Sequence, residues 1–302
     1  MLSYKLIKGT FWLISLLPFP VLYALSDFLC LFVSTFYRTK IVRENLKSAF
    51  PEKSAQELKE IERKFYHQFC DNLVEDIKML SMTKEEMMRR MTFSGLEYMQ
   101  ERFNAGQKLN FLYLSHFGNW EWIASINYSV ESWCHSTQIY HRIYNKGMDR
   151  FFFELREKFG GANIEMKETF RKILQMKRTN ENYLTGFISD QQPKWESIHH
   201  FVPFLNHETA VFTGAEHIAR KVDAFVTYGR MSRPRRGYYH LDIIPMEEHP
   251  ATLPENALTD LYFKMLEEDI RNHPEMWLWT HKRWSRTKEK WLERQNEMKS
   301  EE

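Results

Sequence analysis

From Leu109 onward, short apolar runs alternate with longer amphipathic stretches. Runs at 109–115, 136–141, 183–189, 222–231 and 238–245 predict strands. Stretches at 119–130, 147–159, 167–179, 209–220 and 254–272 predict helices. The alternation predicts an α/β fold in which helices flank a central sheet. The hairpin-like pair within 222–245 makes that sheet mixed. Upstream, Glu52 to Met79 carries Ile61, Phe65, Phe69, Leu73 and Ile77 at three-to-four spacing, a helical face. Thr83 to Phe103 starts like a second helix, with Thr83 as cap and Glu86 three residues on. The charged tail after Trp291 reads as a solvated helix end.

The N-terminus follows a different pattern. Gly9 to Ser26 and Phe28 to Tyr37 carry no charge, with Asp27 between them. A straight spanning helix needs about 20 apolar residues, and Pro18 and Pro20 would kink or break the first run. Lys5 and Lys8 precede the apolar region, and Arg38, Lys40 and Arg43 follow it. Positive charge on both flanks suits a hairpin or in-plane helical membrane anchor whose two ends stay cytoplasmic. A single-pass span and a buried core hairpin are the alternatives. A cleaved signal peptide fits less well, because the apolar region is long and no A-x-A site follows.

Composition narrows the picture. At 302 residues, 43% hydrophobic and 27% charged, the chain can bury a large core and is not disordered. The net charge is +2, yet Arg230, Arg233, Arg235, Arg236, Lys282, Arg283 and Arg286 gather in the last third. Such a cluster suits an acidic carrier protein, lipid phosphates or an anionic membrane, or is a solvated face. No nucleic-acid module is recognised. Cys30, Cys70 and Cys134 are isolated, which argues against a disulfide scaffold or a zinc site. No G-x-S-x-G elbow, Walker A loop or G-x-G-x-x-G fingerprint occurs, which disfavours serine hydrolases, P-loop enzymes and dinucleotide enzymes.

The chemistry concentrates in Ser115-His116-Phe117-Gly118-Asn119-Trp120-Glu121, between a strand and a helix. Open α/β sheets bind ligands at such junctions. His116 and Glu121 are five positions apart, which on one helix is a rotation of roughly 500° and puts them on different faces. A turn at Gly118, with Asn119 as N-cap, would bring them together. Glu121 then falls in the first helical turn and accepts a hydrogen bond from one imidazole nitrogen. The other nitrogen takes a proton from a hydroxyl. A structural hydrogen bond between surface residues is the plainer alternative. The spacing does not suit a metal.

This segment resembles the H-x4-D/E motif of glycerolipid-type acyltransferases, and SHFGNWEW resembles the lipid A biosynthesis lauroyl/myristoyl acyltransferase branch. Other similarities follow in order: Arg43-Glu44-Asn45-Leu46 with Phe50-Pro51, Tyr140 to Asn145, Arg156 with Gly160, Asp190-Gln191, Val202-Pro203-Phe204 with Thr213-Gly214, and Pro274 to Trp284. His141 before Arg142, and Pro203, depart from the pattern and leave acceptor and acyl-chain specificity open.

The resemblance implies transfer of a fatty acyl chain from an acyl thioester to a hydroxyl of a lipid A precursor. The donor would be acylated acyl carrier protein, with acyl-CoA as second choice, and no metal or redox cofactor is implied. It implies the cytoplasmic face of a Gram-negative inner membrane. Residues 1–40 would then be the anchor and 41–302 the catalytic domain, with a helical lead-in at 41–105 and an α/β core at 106–290. His116 would be the base and Glu121 its orienting partner. Backbone N–H groups near Gly118, or Arg142, would stabilise the oxyanion; Arg142 would otherwise hold the acceptor's phosphate. Asp190 ends the apolar run Tyr183 to Ser189, which puts a second carboxylate near the sheet edge of His116 if the two strands are parallel; it would hold Arg142 or Arg156, or cap its loop. Asn119 and Trp120 would shape the pocket, Thr213 and Gly214 would line an acyl channel, and Asn145 and Gln191 complete the substrate-binding set. Another acceptor (a phospholipid or an amino-lipid), a lipid hydrolase, and a non-catalytic protein binding carrier protein or lipid are the competing readings.

Overall fold

The two prolines divide the apolar N-terminus. A computed structural model describes residues 2–300, and in it helix α1 (Leu2–Ser15) stops short of Pro18, the residue that precedes α2 (Phe19–Phe36). Proline lacks an N–H to donate, so it opens a helix more readily than it continues one. Helices α3 (Thr39–Ala49) and α4 (Ala55–Lys78) follow. A reciprocal capping box between Ser54 and Glu57 starts α4.

The stretch Thr83 to Phe103, expected as one helix, is instead α5 (Lys84–Arg90), strand β1 (Met91–Ser94) and α6 (Leu96–Asn104). Gly95 forces the break: its φ is +78°, and a Cβ there would overlap the Ile243 carbonyl oxygen. The core then runs β2 (Leu109–Leu114), a 3₁₀ helix (Trp120–Ile126), α7 (Asn127–Val130), β3 (His135–Tyr140), α8 (Lys146–Glu157), β4 (Ala162–Glu165), α9 (Thr169–Lys177) and β5 (Tyr183–Ile188). Next come β6 (His200–Phe204), β7 (His207–Val211), α10 (Gly214–Val222), β8 (Phe225–Arg235), β9 (Tyr238–Glu247), α11 (Ala257–Asn272) and α12 (Lys288–Ser300). The helix expected over 209–220 begins only at Gly214. Its first residues belong to β7, which pairs with β6 through a two-residue turn at Leu205 (φ 50°) and Asn206 (φ 65°). Both central residues have positive φ, the condition for a hairpin turn usually met by Asn-Gly.

Seven strands form one sheet in the order β1-β9-β8-β2-β5-β3-β4, flanked by helices. β2, β5, β3, β4 and β8 run parallel, and β9 is antiparallel to β8. The sheet is therefore mixed, as the strand pattern predicts. Every residue of β2 is buried, so this strand forms the centre of the core. α1 leans on α8 through Phe11 and Phe151, whose ring centres are 5.3 Å apart. α2 lies along α4 and buries Phe19, Leu22, Ser26 and Cys30. Phe28, Leu31, Phe32 and Phe36 of α2 stay exposed.

Candidate active site

Parallel register builds the site. Leu114 of β2 faces Ile188 of β5, so two residues beyond each strand His116 and Asp190 fall side by side. His116 Nδ1 lies 2.7 Å from Asp190 Oδ1, and the His116 backbone N–H donates to Asp190 Oδ2 at 3.2 Å. Trp277 Nε1 donates to the same Oδ2 at 2.9 Å. With a proton on Nδ1 directed at the carboxylate, Nε2 is left as an acceptor. Gln191 Nε2 stands 3.3 Å from it, and the imidazole side chain is 20% exposed. Trp120 meets the imidazole edge-on, with ring centres 5.1 Å apart.

Glu121 does not hold His116 as the spacing suggests. Its two oxygens are taken by Arg156 of α8, through Nε at 2.7 Å and Nη2 at 2.5 Å. The physical reason is reach. A planar guanidinium matches both carboxylate oxygens at once, while the neighbouring strand already presents Asp190 to Nδ1. Glu121 remains close enough to His116 to feel its charge. Asp190 is therefore the imidazole's partner and bonds neither Arg142 nor Arg156.

The turn is clamped from both sides. Gly118 N–H donates to the Met276 carbonyl at 2.9 Å, and Leu278 N–H donates to the His116 carbonyl at 3.1 Å. The Gly118 amide is thereby spent and is no free oxyanion donor. Gly118 has φ +61°, and a Cβ there would overlap Met231 Sδ. From α4, Asn72 Nδ2 donates to the Gly118 carbonyl at 2.7 Å. Asn119 caps the 3₁₀ helix, as expected, by accepting from Trp122 N–H at 3.2 Å.

Burial alone would raise the Asp190 carboxyl, but His116 and Trp277 outweigh it and hold the group below its ordinary value. Burial likewise opposes the Glu121 charge, and Arg156 outweighs it, so Glu121 is also held low. Arg156 is correspondingly raised against its own burial. Asp76 and Glu75 of α4 behave oppositely: burial, then the neighbouring carboxylates, push both up.

Other expected site residues make contacts of their own. Arg142 pairs with Glu165 at 2.7 Å and is largely exposed. Asn145 caps α8 by accepting from Gly147 and Met148 N–H. Thr213 and Gly214 open α10, with Gly214 exposed. Two surface hollows of about 560 and 570 Å³ lie along α4 and α11 and beside β6; His116 and Asp190 line neither. Three of the seven residues of the basic cluster are paired with acids: Arg236 with Asp27 and Asp71, Arg233 with Asp71, and Arg230 with Glu268 and Asp269. Arg283 is not a surface charge at all. It is 1% exposed, and only its Nη1 is bonded, to the Ala210 carbonyl. Burial lowers it to about 10, and burial with the nearby Arg283 charge lowers His281 to about 4.

Sequence spacing could not reveal Asp190 as the imidazole's partner, because 74 residues separate the two. The available signal was an acid placed just past an apolar strand parallel to the strand that carries His116.

These features define an α/β protein with a histidine–carboxylate couple at the carboxyl ends of adjacent parallel strands, where open sheets hold their ligands. The chain belongs to the bacterial lipid A biosynthesis acyltransferase family, which matches residues 1–286. No match is found among curated proteins.

Proposed function

We propose that this protein transfers a fatty acyl group from an acyl thioester to a hydroxyl of a lipid A precursor, with His116 as general base and Asp190 as its orienting carboxylate. The observation that carries the reading is the 2.7 Å contact between His116 Nδ1 and Asp190 Oδ1, with Nε2 beside Gln191 on a partly exposed imidazole. His116 Nε2 takes the proton as the acceptor oxygen attacks the thioester carbonyl. An oxygen–carbon bond forms, the tetrahedral intermediate collapses, and the carbon–sulfur bond breaks. The imidazolium returns its proton to the leaving thiolate, giving one ester and one free thiol. Asp190 stabilises the imidazolium in between. Gln191 lies where the acceptor hydroxyl would bind, and its amide can donate to a reacting oxygen.

The donor is acylated acyl carrier protein, and the site lies at the cytoplasmic face of the inner membrane. Support for membrane attachment comes from α2, the one helix among the described residues long and apolar enough to span. One side of α2 is bound along α4, while Phe28, Leu31, Phe32 and Phe36 face outward. That division favours a helix lying in the interface over one crossing the bilayer.

Mass spectrometry of membrane lipids with and without the protein tests the reading. A mass increment of one fatty acyl residue is expected, and His116→Ala should abolish it while the protein still folds. Unchanged product with His116→Ala overturns the base assignment. Free fatty acid released at the same rate without acceptor lipid would make the protein a hydrolase instead.

A further inference from the structure

α2 carries two chemistries. Its outward face is apolar, as Val21, Phe28, Leu31 and Phe32 show. Its inward face presents Tyr23, Ser26 and Asp27, polar groups at three-to-four spacing that a simple anchor does not need. Ser26 donates to Asp71 at 2.7 Å, and Arg236 bridges Asp27 and Asp71. Arg236 also lies over the Tyr23 ring, 4.4 Å from its centre. These contacts fix Tyr23 against α4.

From there a chain of hydrogen bonds runs into the site. Tyr23 Oη donates to Glu75 Oε1 at 3.0 Å. Glu75 Oε2 accepts from Asn119 Nδ2 at 2.8 Å and from Tyr239 Oη at 2.9 Å. Asn119 in turn caps the 3₁₀ helix that bears Glu121. The Glu75 carbonyl accepts from Trp122 Nε1 at 3.3 Å. Glu75 is wholly buried, so each donor lost to it leaves a buried acceptor without compensation.

We propose that Tyr23 is a positioning residue that holds the His116–Glu121 turn in place through Glu75 and Asn119, making the lipid-facing helix α2 part of the active site. The catalytic consequence rests on the reading of His116 as the base; the structural consequence does not. The same helix thus carries apolar side chains on its outward side and grips Glu75 on the other.

The test uses Tyr23→Phe in the full chain, which keeps the ring and deletes one hydroxyl. Partition onto phosphatidylethanolamine–phosphatidylglycerol vesicles and hydrogen exchange across 117–126 are measured, with exchange in β2 and β5 as reference. Turnover is measured in the same vesicles with a lipid acceptor. Expected are vesicle partition within about twofold of the parent, and exchange across 117–126 faster by about tenfold with the β2 and β5 amides unmoved. With them should come a fall in kcat of about tenfold at near-constant KM, the size of one lost hydrogen bond. Glu75→Gln, which sets an NH₂ where one accepting oxygen stood, should change exchange across 117–126 in the same direction. Unchanged exchange across 117–126 in Tyr23→Phe overturns the proposal, and so does acceleration spread equally over β2 and β5. If the parent protein transfers no acyl group, the functional reading fails while the exchange measurement still decides the role of Tyr23.

Discussion

Asp190→Asn isolates the contact on which the site depends. The substitution keeps volume and removes the charge that the imidazolium meets across 2.7 Å. A hydrogen bond to a charged group contributes about 1.5–3 kcal/mol. If that contribution is realised only when His116 is protonated, kcat falls by roughly tenfold to somewhat over a hundredfold. KM should hold, since Asp190 is 2% exposed and lies beneath the imidazole. The amide can also turn its NH₂ toward Nδ1 and favour the wrong tautomer, which deepens the loss. The assay is turnover in mixed micelles across acceptor concentration, read by mass spectrometry of the acylated product, beside a thermal melt. A kcat within about threefold of the parent would refute the argument. So would a larger kcat loss from Glu121→Gln in a protein that melts normally, because that outcome restores Glu121 as the orienting group.

Arg156→Met should destabilise the fold by about 3–5 kcal/mol, because it strands a buried Glu121 carboxylate. Adding Glu121→Gln should recover much of that in a urea titration, and simple additivity would count against the pair. Gly118→Ala must place a Cβ against Met231 Sδ at φ +61°; a loss of about 2–5 kcal/mol in melts, with activity gone, is expected. His281 is held at about 4 against an ordinary 6.5, so as pH falls the unfolded chain takes up that proton first. Stability is lost between pH 6.5 and 4, by about 3 kcal/mol. Glu75 and Asp76, whose folded values are raised, work in the opposite direction. The difference between the parent and His281→Asn across that window is therefore what urea titrations should read, and no difference would refute the assignment.

The parts of the fold legible in the sequence were those governed by continuous apolar runs. β2 could be read from LNFLYL because all six side chains are buried and no polar alternation was needed. The break at Pro18 was equally legible, since proline acts locally. β1 and the β6–β7 hairpin were not. β1 owes its existence to pairing with β9, more than 140 residues away. The β6–β7 turn uses Leu205 and Asn206 in left-handed conformations without a glycine to mark it. In both cases tertiary partners override the local preference.

The site divides along the same line. The segment from His116 to Glu121 was locatable because a strand, a glycine and a capping asparagine must adjoin, and the chain does turn there. Which carboxylate meets the imidazole was a matter of sheet register, and short-range spacing carries no register across a crossover. Two acids compete for His116, and the arrangement of cations decides between them. Arg156 claims Glu121 with both its donors, while Arg283 lies within electrostatic reach of Asp190 without bonding it. Asp190 thus keeps one oxygen for Nδ1 and the other for Trp277 and the His116 amide. Had a forked pair stood at Asp190 instead, Nδ1 would have lost its acceptor. The guanidinium on α8 therefore matters to the imidazole it never touches: by occupying Glu121, it leaves His116 a single carboxylate.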